Sequence, residues 1–451
     1  MDFDPVLLSR VQFAVTIGFH ILFPTLTIGL ASFLLIVEVQ WLRTGDPAWR
    51  SLFRFWVKLF ALAFGMGVVS GIVLSYEIGT NFAPYARATA NVLGPLFGYE
   101  VLTAFFLEAG FLGIMLFGWD RVGPRLHVLA TAMVAAGTVI SAFWILAANS
   151  WMQTPQGHRE EAGIFYVVDF WQAIFNPSFP YRLLHMTLAA YLATAFAVAA
   201  VSAWHVLRGD NGPVMRRSLA YGLAMAALVA PAQVVIGDLH GLQVRDHQPI
   251  KLAAMEAIWE TQRGAPLLLF AWPDEAAEAN RYEIGIPKAG SLILTHEWDG
   301  EVKGLKEVPA GDRPNVPIVF FAFRVMVGLG VVMLALSWCG VFLLWRGRLA
   351  QSRRYLRLLI AAGPSGFVAV LAGWIVAEVG RQPWVVQGLM RTADAVSSVP
   401  GRSVAISLAL FCVVYLALLG AFLYVSAKLI RRGAETAEAP VPPRHLMAGR
   451  P

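Results

Sequence analysis

Among the ionisable side chains set inside long apolar runs of this sequence stand His20, Lys58, Glu77, Glu100, Glu108, His185, Arg324 and Glu378, with Met326 as a further soft ligand. A charge held at bilayer depth costs at least a few kcal/mol, so each such group calls for a partner or a function. Lys58 and Glu77 stand near the ends of their runs, where a long side chain reaches the polar interface, and need no further role. His20, His185, Met326 and Glu378 form a candidate donor set for iron. A histidine and a methionine on different helices suit the two axial positions of a low-spin haem, since neither must carry charge. Taken singly each has a plainer reading, because a lone membrane histidine often bonds between helices and a lone methionine usually packs.

Glu100 and Glu108 are eight residues apart, a little over two helical turns, and point broadly the same way. Two such acids can pass protons along a span, although a pair of neutral, hydrogen-bonded carboxyls would satisfy the same pattern. A further constellation lies in a polar stretch, "GDLHGLQVRDHQPIKLAAMEAIWETQ" at 237–262, where Lys251, Glu256 and Trp259 fall at helical spacing. A quinol docking there needs an acceptor for its hydroxyl proton, for which Glu256 fits, and a hydrogen-bond donor, for which Lys251 fits. An ordinary amphipathic surface helix is the simpler alternative.

The elements that must position these groups are apolar helices. Of 451 residues 57% are hydrophobic and only 14% charged, with a mean hydropathy of +0.61, which is membrane-protein composition. Hydrophobic runs long enough for a hydrocarbon core of about 30 Å occur nine times, near 11–40, 54–78, 92–118, 127–150, 183–207, 215–238, 318–345, 356–379 and 403–430. The expected fold is therefore an all-α integral membrane protein. Six spans occupy 1–238, a long extracytoplasmic loop 239–317, three spans 318–432, and a cytoplasmic tail 433–451. Sixteen Lys and Arg flank one set of span ends against seven at the other, which places the N-terminus outside and the C-terminus in the cytoplasm. The net charge of +6 thus reads as topology, and nucleic acid is not an expected partner. Cys339 and Cys412 both fall in apolar runs without a CxxC or CxxCH pattern, so neither a disulfide framework nor covalent haem attachment is indicated. The start "MDFDPVLLSRVQ" lacks a basic n-region and cleavage site, so the first run is expected to be retained as a span.

Several motifs resemble one family closely: "LSRVQFA" at 8–14, "FFLE" at 105–108, "FGWDR" at 117–121, "KLAAMEA" at 251–257, "FAFRVMV" at 321–327, and "GRQPW" at 380–384 after "GWIVAE". Together they resemble subunit I of the cytochrome bd-type quinol oxidases, of the type with a short quinol loop. The resemblance implies oxidation of membrane quinol and four-electron reduction of dioxygen to water. The implied cofactors are a low-spin haem b, a high-spin haem b, and a haem d or a further haem b. It implies His185 and Met326 as axial ligands of the low-spin haem, and His20 and Glu378 as ligands of the high-spin pair. It further implies Lys251 and Glu256 at the quinol site, Glu100 and Glu108 on a proton path, Trp374 near the haems, and Arg324 and Arg381 at the propionates. The expected partners are a subunit II and a small single-helix accessory subunit, in a bacterial cytoplasmic membrane. Two rivals fit less well. A haem-copper oxidase needs more membrane histidines than His20 and His185, because His127 and His205 fall at span ends. A proton-coupled transporter would be expected to show paired broken helices or inverted repeats.

Overall fold

The computed structural model describes residues 4–434, so the expected tail lies outside the described residues from 435 onward. Among the described residues nine helices are long and apolar enough to cross a membrane: Pro5–Thr44, Pro47–Asn81, Ala83–Phe117, Pro124–Gln153, Phe179–Leu207, Pro213–His247, Val316–Trp345, Arg353–Val379 and Gly401–Arg432. They follow the expected order, but most extend well beyond their apolar runs. Hydropathy marks the part that lipid must accept, whereas helical hydrogen bonding continues into the polar ends. The first span, at 40 residues, begins at Pro5, where Asp4 caps the Val6 amide at 2.9 Å. Each of the first seven spans carries proline in its first turn, where the missing amide costs nothing.

Two spans are irregular. The third contains a π-helical turn over Val101–Phe105. The eighth consists of Arg353–Ala361 and Ser365–Val379, separated at Pro364, whose ring cannot continue the preceding hydrogen-bond ladder.

The first and fifth spans are the most covered. The first packs on the second, fourth, fifth and ninth, and Gly29 admits Thr194 of the fifth, whose Oγ1 donates to the Leu26 carbonyl at 3.1 Å. The fifth, sixth, seventh and eighth spans close a ring, each packed on the next and the eighth back on the fifth. The second, third and especially the ninth leave most of their apolar surface uncovered.

The segment between the sixth and seventh spans is shorter than the sequence suggests, because the sixth span runs on to His247 and the seventh starts at Val316. It has structure of its own: a short helix Pro249–Glu256, a hairpin of Leu267–Asp274 with Ala279–Ile286, and a second short helix Ala289–Thr295. Smaller hairpins follow the fourth and eighth spans.

Candidate functional site

Glu378 lies one residue before the end of the eighth span, where the fourth span also ends and the fifth begins. Its carboxylate accepts from the Arg381 guanidinium, from Asn149 Nδ2 at 3.1 Å and from Gln153 Nε2 at 3.3 Å. Asn149 and Gln153 are four apart on one face of the fourth span, so both reach the same acid. Arg182, at the start of the fifth span, donates to Asn149 Oδ1. Gln153 Oε1 in turn accepts from Lys251 Nζ and from Gln248 Nε2 at 3.0 Å, and Lys251 also donates to Gln248 Oε1 at 2.8 Å. Lys251 is therefore one residue removed from Glu378. Burial pushes its ammonium well below the usual lysine range, Arg182 and Arg381 add to that effect, and Glu378 opposes it.

Glu256 stands on the same short helix but has a different partner. Arg324 NH2 donates to its Oε2 at 2.5 Å, and Arg324 Nε donates to the Leu268 carbonyl at 2.6 Å. Burial pushes Glu256 above the ordinary carboxyl range, while the Arg324 charge and hydrogen bond pull the other way. The two residues expected at one quinol site thus sit in two adjoining networks.

The remaining candidate ligands lie deeper. His185 is on the fifth span, with Gln233 Nε2 of the sixth 3.3 Å from both ring nitrogens, a long contact that favours neither. The His240 ring stands 5.5 Å away, centroid to centroid. Met326, on the seventh span, packs against Gly373 of the eighth, next to half-buried Trp374. These four helices are the closed ring. His20 is on the first span, its Nδ1 3.0 Å from Ser70 Oγ of the second. The first helix starts at Pro5, ahead of its apolar run, so His20 lies about 22 Å from the helix end and about 14 Å from the start of the run.

A haem would need donors on separate helices, flat space beside them, and polar groups for its propionates. Two imidazoles, a thioether and a carboxylate meet the first need. Glycines adjoin three of them: a Cβ at Gly71 would stand 3.2 Å from the His20 ring, at Gly237 3.4 Å from the His185 ring, and at Gly373 2.9 Å from Met326 Sδ. Buried and unpartnered polar atoms at Arg182 Nε, Arg381 Nε and Gln233 Oε1 meet the third. The residues fit the group.

Glu100 and Glu108 both face the fourth span. Ser141 Oγ donates to Glu100 at 2.7 Å, and the side chain of Glu108 covers Gly137, one turn from Ser141. The π turn between the acids explains the alignment. Two regular turns take about 7.2 residues and one extra residue makes about 8.2, so a spacing of eight returns to the same face.

Sequence reasoning passed over other polar groups. Glu38 of the first span is fully buried and accepts from Thr131 Oγ1 at 2.5 Å, with His127 Nδ1 on its other oxygen. It ends an apolar run and looks like an interfacial residue in sequence. Glu77, expected at the polar interface, is instead buried in the protein, 1% exposed and facing Thr16 of the first span, four residues before its helix ends. Lys58 is exposed. Asn149 and Gln153, which bond Glu378, and Arg182 and Gln248, which bond those two, carry no motif that would mark them.

A family model described as cytochrome bd terminal oxidase subunit I matches residues 8–434. Subunit 1 of the cytochrome bd-II ubiquinol oxidase of Escherichia coli K12 is 32% identical over 507 aligned positions, covering 97% of this chain and 99% of the relative. Subunit 1 of the cytochrome bd ubiquinol oxidase of Bacillus subtilis 168 is 36% identical over 441 positions, covering 95% and 94%. The first alignment is longer than this chain, so the E. coli relative carries residues that this one lacks. The solved bd oxidase of Geobacillus thermodenitrificans superimposes with a TM-score of 0.89 at 32% identity, covering 96% of this chain and all of the matched one. The family model, the two relatives and the solved fold each match across essentially the whole chain, which belongs to the cytochrome bd terminal oxidase subunit I family.

Proposed function

We propose that this chain oxidises membrane quinol at the loop end of its helix bundle and reduces dioxygen to water with protons drawn from the opposite face. One observation carries the reading. Lys251 and Glu256, on one short helix, each connect to a candidate iron-ligand neighbourhood, Lys251 through Gln153 to Glu378 and Glu256 to Arg324, two residues before Met326.

In this reading His185 and Met326 would hold the low-spin haem b, and His20 and Glu378 the two high-spin haems, one of type b and the other of type d or b. When bound, the haems carry single electrons and offer dioxygen an open iron position. Arg182 and Arg381, with buried Nε groups to spare, would hold propionates, as would Arg324. Trp374, next to Gly373 in the chain and half-buried, would stand near the haems.

Glu256 accepts the quinol hydroxyl proton. Burial makes it a stronger base than an ordinary carboxylate, and the Arg324 charge and hydrogen bond oppose that shift. Lys251 donates to the quinol oxygen once released from Gln153. Each quinol oxidised gives up two electrons and releases two protons to the loop side. Dioxygen takes four electrons and four protons, and Glu108 and Glu100 pass those protons from the far side. Charge is then separated without a pump. The basic loops lie at that far end, where Arg50 pairs with Asp120 and Arg217 with Asp46, which supports a cytoplasmic assignment with the N-terminus and the 248–315 segment outside. The uncovered second, third and ninth spans suit a second membrane subunit, and a small single-helix subunit is a further expected partner.

The test is a reduced-minus-oxidised spectrum of the purified complex, with extracted haems identified by mass and quinol-dependent oxygen uptake followed at an electrode. Three haems including a chlorin make this a haem d enzyme, three b-type haems the haem b variant, and the absence of haem from an intact complex would overturn the assignment.

A further inference from the structure

The hairpin of the 248–315 segment runs alongside the seventh span, and three contacts fix its depth. At the turn, Glu275 Oε1 accepts from the Val316 amide at 2.9 Å, the first residue of the span. Midway, the Phe270 and Trp272 rings stand 6.0 and 5.7 Å from the Phe321 ring. Lowest, the Leu268 carbonyl accepts from Arg324 Nε. From Val316 to Arg324 the helix descends about 12 Å.

The seventh span has residues to spare at this end. Positions 325–345 are uncharged and fill a hydrocarbon core of about 30 Å unaided, which leaves Arg324 at the boundary and 316–323 in the headgroup layer. The hairpin beside them turns Leu268 and Ala271 inward and leaves Leu269, Phe270, Trp272, Tyr282, Ile284 and Ile286 between 43% and 80% exposed. Phe270 and Ile284 are directly opposed across the strands, as are Leu267 and Ile286. Acidic side chains gather at the turn, Asp274, Glu275 and Glu278, while Arg281 and Glu283 alternate along the second strand with Tyr282, Ile284 and Ile286. Water on this face would meet a contiguous apolar surface of a kind that soluble proteins seldom expose. Phe321 meanwhile belongs to the stripe of Ile318 and Val325, the exposed flank of the span, so the hairpin face continues a lipid-facing surface.

We infer that the outward face of the 267–286 hairpin is seated in the headgroup layer of the bilayer, its aromatic and aliphatic strand ends among lipid and its acidic turn in water. Its partner is the lipid surface itself, and the hairpin acts as a local aromatic belt.

The test uses the assembled oxidase with Cys339→Ala and Cys412→Ala, bearing a single new cysteine at Ile284, Ile286 or Ala277, labelled with a fluorophore and reconstituted into phosphatidylethanolamine–phosphatidylglycerol vesicles. An unchanged absorption spectrum certifies each variant. Labels at Ile284 and Ile286 are expected to be quenched by a lipid whose nitroxide lies near the headgroup and to lose quenching by aqueous iodide, with Ala277 behaving in the opposite way. Iodide quenching at Ile284 and Ile286 equal to that at Ala277 would overturn the inference. So would shielding from both quenchers, which would mean that another polypeptide covers the face.

Discussion

Arg324 ties three elements together: its NH2 holds Glu256 at 2.5 Å while its Nε holds the Leu268 carbonyl at 2.6 Å. The seventh span, the short helix and the hairpin therefore meet on one guanidinium. The same charge opposes the effect of burial on Glu256. Taking it away leaves burial unopposed and raises the carboxyl further. If the ionised form receives the quinol proton, activity is present above this pKa and lost below it, so the acidic limb of the pH profile must move to higher pH in Arg324→Leu. Quinol oxidation measured against pH in the two complexes, with haem content as the check on folding, decides the matter; an unmoved limb would remove Glu256 as the base. Glu256→Gln should lower turnover by roughly a hundredfold, the usual loss when a positioned base is deleted.

Much of this arrangement could be read in the sequence, and some of it could not. Nine spans in the right order follow from hydropathy, because lipid tolerates few other patterns over such lengths. His20, His185 and Glu378 are legible because each is costly or unusual in lipid, and Met326 through the motif around it. What failed was whatever depends on a distant partner. Glu38 meets His127 and Thr131 from another helix, and Arg324 meets Glu256 across 68 positions, pairings that no local spacing encodes. Glu77 looked interfacial because its run ends near it, yet it is buried in the protein, facing the first span. The π turn leaves no trace in "VLTAF", and without it the relation of Glu100 to Glu108 is only approximate.

That turn makes an unusual prediction about chain length. Deleting Leu102, an exposed residue within it, leaves the acids seven positions apart, about two turns of regular helix, and both still face the fourth span. Inserting one alanine at the same point turns Glu100 away by about 100°. Oxygen reduction should survive the deletion and fall with the insertion, toward the level of Glu108→Ala, while haem content stays constant in all three. Equal rates in the deletion and insertion variants would count against a proton path that needs the two acids aligned.

Glu378 should be intolerant of even an isosteric change. In Glu378→Gln the amide oxygen can still accept from Asn149 or Arg381, so the hydrogen-bond network at the span ends survives in part. The negative charge that would offset a ferric iron does not. The expected result is loss of one high-spin haem and of oxygen reduction, with the low-spin spectrum kept. A variant with full haem content and normal turnover would show that Glu378 serves only to pair Arg381.

Gly373 tests the methionine without touching it. A Cβ there would lie 2.9 Å from Met326 Sδ, closer than real contacts allow, but the sulfur sits near the end of a flexible side chain and can retreat. Gly373→Ala should therefore shift the thioether slightly and move the low-spin absorption band or its midpoint potential. Gly373→Val, with two further methyl groups, should displace it outright and reproduce the spectrum of Met326→Leu. His185 lies on the fifth span, out of reach of this change, so its contribution should persist, and the high-spin features for which His20 and Glu378 are the proposed ligands should be unaltered. A low-spin spectrum indifferent to valine at 373 would mean that Met326 merely packs against the eighth span.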